Sequence, residues 1–136
     1  MLGLYSTHAQ TYLTVLMVAT TLAFALPIFL APLGWARLVR WTIPEHTHLA
    51  IYFGRCLGAL VVMLEVMMLR AIQSGTPLLM ASAYDMLFVV FGLMVVVHVW
   101  GALRRIQPIT ETLEIGLWVL LLVFNTIFYP VQALAR

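Results

Sequence analysis

Arg55 and Glu65 sit inside one long apolar run, and Asp85, His98, Glu111 and Glu114 sit inside two others. Inserting an ionisable side chain at such a place costs on the order of 2.5–3.5 kcal/mol. A chain that keeps these groups turns them toward other helices. Three chemistries fit the residue types. An arginine–carboxylate pair would be structural glue. Carboxylates without a cation would take and release protons along a membrane path. His98 or Tyr129 would contact the carbonyl of a quinone.

Counting depth at about 1.5 Å per residue sorts these groups into two layers. Arg55 lies about two turns into its run, His98 about two turns before the end of the next, and Glu114 one to two turns into the last. They are expected to form one cluster, with Glu111 and Arg104 nearer the surface. The second layer is acidic: Glu65, Asp85, Asn125 and Tyr129, with Tyr5 and His8 as caps and Arg70 at its rim. At about 100° per residue, Arg55 and Glu65 share one broad helix face. Glu111, Glu114, Trp118, Asn125 and Tyr129 form a stripe. Asp85 and His98 stand about 140° apart, so one of them must look to a different neighbour.

Positioning these layers takes four helices, expected at about residues 9–31, 43–72, 77–103 and 109–134, each near the length a hydrocarbon core requires. Pro27 should kink the first, and Pro32 and Gly34 end it. Thr42-Ile43-Pro44-Glu45 fits a capping box opening the second. Ser74-Gly75 ends that helix, and Thr76-Pro77 opens the third. Trp35, Arg37, Arg40 and Trp41 suit an interfacial segment, rings at headgroup level and guanidiniums on phosphates; Arg104 and Arg105 form a second basic turn. His46 and His48, two residues apart, do not share a helix face and read as solvated. Gly54-xxx-Gly58 permits close helix contact, within the chain or between copies. The methionines within the spans, such as Met63 and Met94, read as adaptable packing. Ala23-Phe24-Ala25 has the look of a cleavage site, but the apolar run continues to Leu30, so an uncleaved helix is expected.

Composition agrees with this layout. The chain is 64% hydrophobic and 9% charged, with mean hydropathy +1.06, whereas soluble domains carry roughly 25% charged residues. One domain spanning residues 1–136 is expected: an all-α polytopic membrane protein, an up-down four-helix bundle with both termini on one side. All seven basic residues are arginine. Arg37, Arg40, Arg104 and Arg105 fall on the loop side, against Arg70 and Arg136 on the other. The positive-inside rule then makes the loops cytoplasmic and the termini periplasmic in a bacterial inner membrane. No basic stripe with interleaved aromatics supports nucleic-acid binding. The single cysteine, Cys56, excludes an intrachain disulfide. No Cys/His metal spacing, HExxH, phosphate loop or nucleophile elbow occurs. Only His98 lies well inside a span, which disfavours a bis-histidine haem.

The four-span layout, with Phe53-Gly54-Arg55 and Gly58 in the second helix, resembles the small bacterial DoxX-like membrane proteins. That resemblance implies a four-helix membrane fold and, for some members, a place as a small subunit of quinone-linked oxidoreductases. The glycine- and lysine-containing pattern usual in their first helix is absent. Two functions follow as expectations. One is an accessory or scaffold subunit within a larger membrane complex, where Arg55 and Glu65 serve architecture. The other is a proton-coupled carrier or quinone-linked redox protein using Glu65 and Asp85. No cofactor is required by the first; lipid or quinone would be the ligand of the second. The expected partners are membrane lipids and other membrane subunits or further copies of the chain.

Overall fold

The computed structural model describes residues 2–134, and among these the regular structure is helical throughout. The helices are α1 (Ala9–Thr20), α2 (Leu26–Leu30), α3 (Pro32–Leu38), α4 (His48–Ser74), α5 (Pro77–Arg104) and α6 (Ile109–Ile127). A π-helical turn, Thr21–Ala25, joins α1 to α2, so the two form one span. That span, α4, α5 and α6 are long and apolar enough to cross a membrane.

The spans run up and down. Gly3 N–H and Tyr5 N–H donate to the Thr126 and Ile127 carbonyls, so the start of the chain meets the end of α6. Gln10 Nε2 donates to the Ile72 carbonyl, which brings the end of α4 to the same rim. At the opposite rim Trp41 bonds Glu111 and Thr110 bonds Val39, which joins the start of α6 to the residues after α3. The core is apolar and aromatic: Leu13, Met68, Ala71, Tyr84, Leu87, Phe91 and Trp118 are buried together. The outward faces carry aliphatic bulk, including Val15, Leu22, Leu60, Val89, Val96 and Leu120, as expected for lipid contact.

Local chemistry explains the breaks in the spans. Pro27 has no N–H to offer the carbonyl one turn back at Ala23. Trp35 fills that vacancy, its indole N–H donating to Ala23 O at 2.9 Å. The expected kink is thus a π turn, a feature that often marks functional places. Gly75 closes α4 in the left-handed region, φ +61°. Pro77 opens α5 after Thr76, whose side chain makes no bond to the helix start. Gly58 lets α2 and α4 cross closely: a Cβ there would stand 2.5 Å from Phe29 N. Gly54 packs the same way on Pro32, so this glycine pair works within the chain.

Two boundaries differ from expectation. Helix α4 begins at His48, not near residue 43, and no capping box forms. Pro44 disfavours helical backbone at Ile43, and the Trp41 indole N–H is tied to Glu111, so residues 42–47 form a loop. Helix α6 ends at Ile127, because Tyr129 precedes Pro130 and is pushed out of helical backbone; a short 3-10 turn, Val131–Leu134, follows. Arg136 lies outside the described residues.

Candidate functional site

Helices α5 and α6 pack along their length and bring three side chains together at the rim that holds α3. His98 Nε2 lies 3.0 Å from Glu111 Oε2 and 3.7 Å from Glu114 Oε2. Their depths match because His98 stands about two turns before the α5–α6 turn and Glu111 and Glu114 about one to two turns after it. The i, i+3 spacing puts both carboxylates on one face of α6. His98 and Glu111 are buried; Glu114 is half-buried. His98 Nδ1 lies 2.7 Å from the Met94 carbonyl. A carbonyl only accepts, so Nδ1 carries a proton and Nε2 is the nitrogen turned to the carboxylates. Trp41 Nε1 donates to Glu111 Oε1 at 2.8 Å. The Thr110 hydroxyl donates to the Val39 carbonyl, tying α6 to the loop after α3.

This cluster forms one end of a cavity of about 180 Å3 between the four spans. Phe24, Ile28, Leu57, Leu60, Leu64, Leu87, Phe91 and Met94 line its length. At the other end, Glu65 Oε1 lies 2.6 Å from the Thr20 hydroxyl. Glu65 Oε2 is buried without a hydrogen-bond partner among the described residues, as is Trp118 Nε1 at the cavity wall. Along α5 the lining runs from Leu87 to His98, a rise of about 16 Å. Leu57 and Leu60 are exposed, so the cavity reaches the outer, apolar face of α4.

Several expected groupings are not formed. Arg55 is exposed and makes no ion pair among the described residues. It leaves His98 and Glu114 to Glu111, which is buried and not near the surface as expected. Tryptophan at position 41 explains this, since it covers Glu111 from the loop. The acidic layer also divides. Glu65 turns to Thr20 on the first span. Asp85 is exposed and accepts from the Tyr129 hydroxyl at 2.9 Å. Asn125 is fully buried, and its Nδ2 donates to the Tyr84 carbonyl at 3.0 Å. Tyr84 takes the interior place beside Asp85, its hydroxyl donating to Ala9 O. Tyr5 and His8 are exposed and cap none of these groups.

At the rim, Arg37, Arg40, Arg104 and Arg105 are exposed. Arg104 stacks over Trp100, its guanidinium carbon 5.8 Å from the ring centre. The indole N–H groups of Trp35 and Trp41, expected in an interfacial segment, donate within the chain, to Ala23 O and Glu111 Oε1, while Trp41 stays exposed. Sequence reasoning did not place Thr20 or Trp41 at the site. Thr20 does carry a signal in the sequence, a hydroxyl in an apolar span that can bond back to its helix or to a neighbour, and it does both, to Leu16 O and Glu65; Trp41 carries none, because its contact spans 70 residues. No protein family, curated protein or solved structure matches the chain.

Proposed function

We propose that the protein is a small integral membrane subunit that takes a lipid-soluble, ring-headed molecule of the quinone class into its interior. The observation that carries this reading is the cavity itself: apolar along its length, open at a lipid-facing helix, and ended by groups that can exchange hydrogen bonds and protons. A dry cavity of roughly 150 Å3 accepts a benzene ring, so about 180 Å3 suits one substituted ring. The ring would lie against Phe91 and Trp118 with its oxygen toward His98, Glu111 and Glu114. An apolar tail would leave past Leu57 and Leu60 into lipid. A larger assembly would supply the electrons, in keeping with the resemblance to DoxX-like proteins. The arginine-bearing rim would face the cytoplasm of a bacterial cell and the termini the periplasm.

Trp35 and Trp118 line the cavity, which supplies the test. A short-chain quinone titrated into the purified protein in lipid nanodiscs should quench tryptophan fluorescence saturably. Val61→Phe with Leu64→Phe, which fill the cavity, should remove the saturable phase. Quenching that rises linearly and equally in both proteins would mean simple partitioning and would sink the reading.

One observation favours the accessory-scaffold reading as a second. Arg55 is exposed on the side of a span and makes no ion pair among the described residues. A carboxylate on a neighbouring subunit would satisfy it. Native mass spectrometry from mild detergent tests this: Arg55→Gln should release a stoichiometric partner that the native chain retains.

A further inference from the structure

We propose that His98, Glu111 and Glu114 form a binding site for a divalent first-row metal ion. The three donor atoms all lie within 4.8 Å of one another. Metal–nitrogen and metal–oxygen bonds near 2.1 Å at tetrahedral angles set donor–donor separations at about 3.4 Å. The His98–Glu111 and His98–Glu114 separations, 3.0 and 3.7 Å, bracket that value. Glu114 is only half-buried and can close the remaining gap by rotating its side chain.

The orientation of the donors makes the stronger argument. Nδ1 of His98 is committed to the Met94 carbonyl, so a neutral ring presents the lone pair of Nε2 to the Glu111 carboxylate. A lone pair and a carboxylate oxygen at 3.0 Å repel unless a cation lies between them. A shared proton can serve Glu111, but it leaves Glu114 turned toward the same nitrogen at 3.7 Å without a bond. A metal ion engages all three. One neutral imidazole and two carboxylates also carry the two negative charges that neutralise a divalent ion. This mixed nitrogen–oxygen set suits zinc, manganese or iron(II).

The surroundings have the form of a metal site's outer layer. A ligating histidine usually donates its other N–H to a carbonyl or carboxylate, and a ligating carboxylate is itself held by a donor. Met94 O and Trp41 Nε1 occupy those two places here. Trp118 Nε1, buried and without a hydrogen-bond partner among the described residues, lies on the adjoining ring, 5.9 Å from His98 between ring centres. Three protein ligands leave a coordination position open toward the cavity. The site stands on its own geometry and does not require that the cavity hold a ligand.

The test is a titration of the chelator-stripped protein in detergent with Zn2+ against a chromogenic chelator. One ion per chain is expected, with protons released on binding. Glu111→Gln, Glu114→Gln and His98→Ala should each weaken binding at least about 10-fold, and Trp41→Phe about 10-fold through the outer layer. The double variant His46→Ala/His48→Ala should bind as the native chain does. Val61→Phe with Leu64→Phe should also bind Zn2+ normally, which separates this proposal from the quinone reading. Absence of stoichiometric binding, or binding indifferent to Glu114→Gln, overturns the site, and so does loss of binding in the His46/His48 variant. If His98→Ala does not yield a helical protein by circular dichroism, the half-buried Glu114→Gln decides alone.

Discussion

At the scale of single residues, the Tyr129–Asp85 pair gives a pH-dependent prediction. Tyr129 lies beyond the end of the last span, and its hydroxyl donates to Asp85. Burial foremost, then the hydrogen bond to Asp85 and its charge, pushes the phenol above its ordinary value of 10.0. A group whose pKa is raised by folding contributes stability that is complete below its unfolded pKa. That stability is lost as pH rises through the folded value. The unfolding midpoint in detergent should therefore hold level from about pH 7 to 9 and fall above about pH 10. Tyr129→Phe should cost about 1 kcal/mol at neutral pH and make the alkaline fall shallower. An unchanged alkaline slope in that variant would show that the phenol is not responsible. The pair also shows what a sequence can and cannot yield at this scale. Asp85 and Tyr129 were placed at one depth by counting, and they do meet. Counting could not tell that Tyr84, one residue earlier, would take the interior direction and leave Asp85 exposed. Arg55 failed for the same reason: depth follows from sequence number, whereas facing depends on how α4 is rotated by Gly54 and Gly58 against the first span.

At the scale of elements, the two glycines at positions 58 and 92 should respond in opposite ways. Gly58 faces the backbone of α2, with Phe29 N and Cα at 2.5 and 2.6 Å from a built Cβ, and backbone cannot step aside. Gly58→Ala should separate α2 from α4 and cost about 1–3 kcal/mol, the range for overpacking. Gly92 meets nothing within 4 Å, so Gly92→Ala should gain up to about 1 kcal/mol of helix propensity. Denaturation in mixed micelles reads both, and equal effects of the two substitutions would remove the close crossing from consideration. The helices were legible because long apolar runs bounded by Gly75, Pro77 and Pro108 leave few alternatives. The π turn was not, since the proline at 27 announces a disruption and leaves its form to Trp35, eight residues on. Nor was the late start of α4. The capping-box residues Thr42 and Glu45 are present, but Trp41 anchors the chain to Glu111 and holds the following loop away from helix. Trp41→Phe should thus loosen the loop as well as the cluster, read as faster hydrogen exchange over residues 40–47.

At the scale of the whole molecule, the charged side chains divide the bundle into two unlike rims. Arg37, Arg40, Arg104 and Arg105 surround the rim that holds α3 and the α5–α6 turn, while Arg70 alone among the described arginines borders the other. Arg55 lies about 10 Å along α4 from its start, nearer the rim of the larger group than the other. Lys and Arg within reach of a span's end favour the cytoplasmic face during insertion, and acidic residues count for little. The expected outcome is that the arginine-rich rim faces the cytoplasm, which would put the His98–Glu111–Glu114 cluster in the cytoplasmic half and Glu65 nearer the far side. In a bacterial host, Cys56→Ala removes the one native thiol, after which Thr7→Cys and Ile106→Cys mark the two rims at exposed positions. A membrane-impermeant maleimide should label Thr7→Cys in cells with a permeabilised outer membrane and label Ile106→Cys only after lysis. The reverse pattern would invert the orientation and place the cluster in the periplasmic half. Labelling of both positions before lysis would show that the chain inserts in two orientations, a result the four-to-one arginine imbalance argues against.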